Sequence, residues 1–207
     1  PGTSSSQGVY FINDAADHSV KINGDYDITR ASETGANTLY FVSLNPYEVG
    51  NSSSTDGVYN FAGNLTLHGH NNPSSANLLL GFEHQLLANN GGGSGHYTNV
   101  ENGTVTSVLK NTGTITLGDS SVGLYGSNTA TNYTTRNSGT ITVGNSGIGM
   151  FGYASKVSGG TITVGDKGVG VYSQGGNVNL AGGTIATGVS EAVGVYTVGS
   201  GQTVTNS

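Results

Sequence analysis

The stretch GTITVGDKGVGVYS, residues 160–173, decides the fold. It is rich in glycine, yet Ile162, Val164, Val169 and Val171 alternate with threonine or glycine along it. Alternation of this kind belongs to a strand, not to a linker. The phrase also repeats. Gly113-Thr114-Ile115-Thr116-Leu117-Gly118 and Gly139-Thr140-Ile141-Thr142-Val143-Gly144 are close copies, and Gly183-Thr184-Ile185-Ala186-Thr187-Gly188 is a degraded one. Its second half recurs as Val122-Gly123-Leu124-Tyr125, Ile148-Gly149-Met150-Phe151 and Val193-Gly194-Val195-Tyr196. From Ile115 to Ile141, Ile162 and Ile185 the steps are 26, 21 and 23 residues. A near-constant period of this size marks a stack of repeated units that bury their apolar faces against one another.

Each period holds three strand-like pieces. In the copy that opens the section they are 161–164, 168–173 and 177–180, separated by Gly165-Asp166-Lys167 and Gln174-Gly175-Gly176, which have turn chemistry. Three short strands per turn, with turns stacked ~4.8 Å apart, make a right-handed, three-sided parallel β-helix. Alternation sets the expected faces. Ile115, Leu117, Val122 and Leu124 point inward, as do Ile141, Val143, Ile148 and Met150, then Ile162, Val164, Val169 and Val171. The threonine pairs 114/116, 140/142 and 161/163 point outward, together with Gly123, Gly149 and Gly170.

The chain divides by regularity. Residues 101–207 form the regular array, whose length varies mainly at GSNTATNYTTR, residues 126–136. Residues 1–100 read as an irregular, loop-rich β-helix portion or cap. Within them GVYFINDAADHSVKING and DGVYNFAGNLTLHGH each open on a Gly-Val-Tyr phrase like the array's second strand. Residues 73–90 can be read as a short helix, with Leu79, Phe82 and Leu86 on one face, although Gly81 opposes it. Charge divides the same way. Residues 1–100 carry eight acids and two bases, and residues 101–207 carry four of each. With six Lys and Arg against twelve acids, no basic face is expected, so nucleic acid is not an expected partner. There are no cysteines, so stability rests on packing and ladder hydrogen bonds, and no apolar run approaches the ~18 residues of a membrane helix. The terminal QTVTNS reads as the start of another NSGTI phrase, which suggests a fragment of a longer chain.

The phrases NTGTITLGDSSVGLYG, NSGTITVGNSGIGMFG and GGTITVGDKGVGVYS resemble the repeats in passenger regions of Gram-negative type V autotransporters, especially large fusobacterial adhesins. The resemblance covers residues 101–207. It implies a surface-exposed, extracellular β-helix, tied to the outer membrane only through a C-terminal β-barrel that is not in this sequence. It further implies attachment to a host-cell or bacterial surface protein or glycan, although some members of such families carry protease domains. The array itself holds no repeated or convergent nucleophile, base or metal set, so a monomeric, non-catalytic fragment that needs no cofactor is expected.

Several residue groups qualify as sites, each with a plainer reading. Tyr125, Phe151, Tyr172 and Tyr196 recur once per turn and point outward, as a sugar- or protein-binding strip or as a structural ring ladder. Asp14, Asp17, Asp25 and Asp27 make an oxygen-rich segment that suits calcium or a solvated acidic loop. His68 and His70 are spaced for a metal or are surface residues. Gly118-Asp119-Ser120 reads as a turn, because Ser146 and Lys167 replace Ser120 in the next copies and no His–acid pair is suggested. The threonine pairs form a flat hydroxyl array of the kind an ice-binding solenoid uses, or a solvated β-face. A polysaccharide-acting enzyme on this scaffold would need paired carboxylates, which only the acidic first half could supply. The contrast between halves makes residues 101–207 a stiff stalk and places any specific contact in the loops of residues 1–100.

Overall fold

The computed structural model describes residues 6–12, 20–29, 38–45, 58–68, 79–84, 108–126 and 134–207. Within them every regular element is a strand. A first turn supplies β1 (Ser6–Ile12), β2 (Val20–Ile22) and β3 (Asp25–Thr29). The second supplies β4 (Thr38–Asn45), β5 (Val58–Phe61) and β6 (Asn64–His68). The third supplies β7 (Leu79–His84), β8 (Val108–Asn111) and β9 (Thr114–Leu117). The fourth supplies β10 (Ser121–Gly126), β11 (Thr134–Asn137) and β12 (Thr140–Val143). Then come β13 (Ile148–Gly152) with β14 (Ala154–Val164), β15 (Val169–Gln174) with β16 (Val178–Thr187), and β17 (Val193–Val198) with β18 (Val204–Asn206).

One sheet stacks β1-β4-β7-β10-β13-β15-β17. The remaining strands form a second sheet that turns a corner. On one side of it lie β2, β5, β8, β11, the first half of β14 and of β16, and β18. On the other lie β3, β6, β9, β12 and the second halves of β14 and β16. All described pairings are parallel. The molecule is a three-sided parallel β-solenoid, and strands from residues 1–100 sit in the same sheets as those that follow.

The core is made of columns, because register places like on like. Leu65, Ile115, Ile141 and Ile162 pair in succession and are 0% exposed. Leu67, Leu117, Val143 and Val164 form a second column, and Leu124, Met150 and Val171 a third. Burying one such side chain stabilises by roughly 2 kcal/mol, but a single turn leaves both flanks wet, so the stabilisation comes from its neighbours. On the last turn Val198 and Val204 remain 40% and 49% exposed.

Two corners are held by side-chain ladders. At the first, the Asp119 carboxylate accepts from the Asn145 N–H at 2.7 Å, the Asn145 amide oxygen from the Asp166 N–H at 2.9 Å, and the Asp166 carboxylate from the Ser190 N–H at 3.1 Å. The next residue in each turn, Ser120, Ser146, Lys167 or Glu191, sits at φ 53–59°. That left-handed step turns the chain sharply into the next strand, and Asp119 and Ser120 are corner residues. At the second corner Asn111 and Asn137 are fully buried, and the Asn111 amide donates to Asn137 Oδ1 at 2.9 Å. The Asn137 amide donates to the Gly139 carbonyl at 2.9 Å.

Four expectations are corrected. First, Gly123, Gly149 and Gly170 face the core, not solvent. A Cβ on Gly123 would stand 2.7 Å from Ile141 Cγ2, one on Gly170 would stand 2.5 Å from Ile185 Cγ2, and one on Gly149 would strike Ile162 Cγ2. The isoleucine further along the same turn fills the space that each glycine leaves. Consequently the glycine and the residue after it are both buried, as Gly149 and Met150 show, and the alternation slips by one. Ile148 and Val169 are then half-buried on the outer side, and Val122 packs against Tyr125, Ile148 and Phe151 apart from the main core. Second, residues 79–84 are strand β7, not helix. Leu80 and Phe82 pair with Val122 and Leu124, so Gly81 stands at the register position of Gly123. The rest of the 73–90 segment lies outside the described residues. Third, Val58 and Tyr59 are not in the first sheet but pair with Val108 and Leu109. Fourth, pieces expected as separate strands merge across a corner in β14 and β16, where Gly160, Gly182 and Gly183 adopt φ of 69°, 155° and 88°.

Candidate binding surfaces

The outer side of the first sheet carries the sequence's most regular surface feature. Because the slip at each glycine buries two consecutive residues, the third one emerges. Tyr125, Phe151, Tyr172 and Tyr196 therefore stand outside, paired in register turn after turn. Tyr125 and Phe151 stack with centroids 4.9 Å apart and planes 7° apart. Phe151 and Tyr172 stack at 5.0 Å and 17°, and Tyr172 and Tyr196 stand 5.2 Å apart with a 40° tilt. These spacings follow the ~4.8 Å rise between strands, so the scaffold imposes the stack. Tyr196 is 48% exposed.

A second column runs beside the rings. Val122, Ile148, Val169 and Val193 pair in register and share the outer side. Val122 is 5% exposed and Val193 is 39% exposed, so the strip opens toward the last turn. The alternation rule assigned three of these residues to the core, so the width of the strip was missed. The signal was the spacing of three between aliphatic and aromatic positions, Val122 to Tyr125 and Ile148 to Phe151, which a strict period of two cannot place on one side.

The acidic candidates separate. Asp25 and Asp27 are not in a loop. They lie on strand β3, exposed and two residues apart on its outer side, in the columns that Thr114 and Thr116 occupy further along. The Asn64 amide donates to Asp25 Oδ1 at 2.7 Å. Asp14 and Asp17 lie outside the described residues. So do His70 and the loops of residues 1–100 proposed for specific contact. His68 ends β6. Among the described residues no three His, Cys, Asp or Glu gather as a metal site. The threonine pairs 114/116, 140/142 and 161/163 do align in two outward columns, with Asn64 preceding the first and Ala186 following the second. Each threonine is half-buried between its neighbours.

No family model, curated protein or solved structure matches this chain.

Proposed function

We propose that this chain is part of a bacterial cell-surface autotransporter adhesin and serves attachment without catalysis. The observation that carries this reading is the stacked strip of Tyr125, Phe151, Tyr172 and Tyr196 flanked by Val122, Ile148, Val169 and Val193. Flat amphipathic rings offer large contact area and lose little side-chain freedom on binding, which suits a protein surface or a sugar face. A parallel sheet holds them without reorganisation, so a partner meets a prearranged surface. The resemblance of the repeats to autotransporter passenger regions supports the placement at the outer membrane. The test is adhesion of the purified chain to host and bacterial cells. Tyr172→Ser with Tyr196→Ser, both in the open part of the strip, is expected to abolish adhesion while the circular dichroism spectrum stays that of a β-solenoid. Unchanged adhesion by a folded double variant would overturn the assignment of the contact to the strip.

A further inference from the structure

The chain carries six Lys and Arg in all. Register gathers four of them. Lys21 pairs with Asn60, Asn60 with Lys110, Lys110 with Arg136, and Arg136 with Lys156. The column continues through Asn179 and Thr205. Lys110, Arg136 and Lys156 are therefore consecutive at a step of ~4.8 Å, on the outer side of β8, β11 and β14. Their orientation follows from the neighbours at 111, 137 and 157, which are buried at 0–1%. No Asp or Glu stands on any strand of this face. The acids of the described strands and corners lie elsewhere: Asp25 and Asp27 on β3, Glu83 on β7 in the first sheet, and Asp119, Asp166 and Glu191 at the first corner. Lys167 is there too, 4.0 Å from Glu191. Among the described residues none of the four column bases makes an ion pair.

Like charges placed directly across a sheet destabilise it. The column therefore works against the fold, in a protein whose net charge is −6 and which has acids to spare for neutralising it. We infer that this face binds a linear acidic polysaccharide, carboxylated or sulfated, lying along the solenoid axis over Lys110, Arg136 and Lys156. A single file of cations at a fixed step matches a chain with anions in sequence better than one small ion, since each exposed contact is weak and the contacts add through linkage. Thr112 and Ser138, one residue past the ends of β8 and β11, and Ser158 on β14 follow the cations by two positions, and the Thr112 and Ser158 hydroxyls are held by hydrogen bonds to Asn60 Oδ1 and the Asn137 carbonyl. No aromatic residue occupies the outward column at 21, 60, 110, 136, 156, 179 and 205, so the face lacks the platforms on which single-stranded nucleic acid stacks its bases. The inference does not depend on the aromatic strip, which lies on a different sheet.

The experiment titrates the full chain with heparin, polygalacturonate, neutral dextran and poly(dT). Heparin and polygalacturonate are expected to bind, more weakly as salt rises, and dextran to remain unbound. Each of Lys110→Gln, Arg136→Gln and Lys156→Gln should weaken binding by roughly two- to fivefold, the range that exposed ion pairs set, and the triple variant by about tenfold or more. Lys167→Gln should leave it unchanged. In the wild-type chain heparin should also shield Lys110 and Lys156, but not Lys167, from amine acetylation, a readout independent of any variant's folding. Failure of both acidic polysaccharides to bind, wild-type affinity in the triple variant, or equal shielding of Lys167 would each overturn the proposal. Binding of poly(dT) as tight as that of polygalacturonate would assign the face to nucleic acid instead.

Discussion

At the scale of the residue, position relative to the axis decides cost. Ile141 lies between Ile115 and Ile162 at 0% exposure, whereas Thr140 is on the outer side of the same strand. Ile141→Asp buries an unpaired carboxylate and is expected to lower the denaturant midpoint by several times the shift of Thr140→Asp. The core-facing glycines give a sharper contrast. Gly149→Ala puts a methyl group against Ile162 and the Gly170 carbonyl, and should cost about 1–3 kcal/mol by overpacking. Gly194→Ala meets only Ile185 Cγ2, at 4.0 Å, and should leave the midpoint nearly unchanged. Equal midpoints for the two alanine variants would show that the glycines do not face the core. The isoleucines and threonines were legible in the sequence because their chemistry declares their side. The glycines were not, since a residue without a side chain gives no sign of the direction it faces, and the slip they introduce passes unnoticed in an alternation count.

At the scale of the element, the turns that repeat best were read best. The strands at 114–117, 140–143 and 161–164 follow from their shared phrase and pair in the register it implies. The earlier copies were obscured by substitution. Gly63-Asn64-Leu65-Thr66-Leu67 and Gly24-Asp25-Tyr26-Asp27-Ile28 are the same phrase, with Asn or Asp in place of threonine and Leu or Tyr in place of isoleucine. Leu80-Gly81-Phe82 matches Val122-Gly123-Leu124, but leucine spacing around it imitates a helix. The asparagine corner tests how an element boundary is held. Asn137→Ala removes the acceptor of the Asn111 amide and the donor to the Gly139 carbonyl, both in a buried corner, and should cost about 1–3 kcal/mol. Asn145→Ala removes one exposed acceptor of the Asp166 N–H, where water can substitute, and should cost under about 1 kcal/mol. Thermal midpoints of the two variants make the comparison.

At the scale of the whole molecule, coiling converts sequence spacing into surface. Lys110 precedes Ile115 by five residues and Arg136 precedes Ile141 by five, while Lys156 precedes Ile162 by six because Gly159-Gly160 replaces one glycine. A count of bases hides this, and alignment of the copies reveals it. If the column is destabilising, the Lys110→Gln, Arg136→Gln, Lys156→Gln chain should unfold at the same or a higher temperature than the wild type at low salt, and the gap should close as salt screens the repulsion. A lower midpoint for the neutral chain would mean that the bases support the fold. The three-sided stack has a mechanical consequence as well. Its interstrand hydrogen bonds point along the axis, and the first and last strands lie at opposite ends. Tension applied at the two termini therefore loads those bonds one turn at a time, as a zipper and not in shear. Each turn between Ile115 and Ile185 that yields releases 21, 23 or 26 residues, or roughly 70–90 Å of slack. A tether built this way lengthens in steps under a pull and leaves the remaining turns, with whatever they hold, intact.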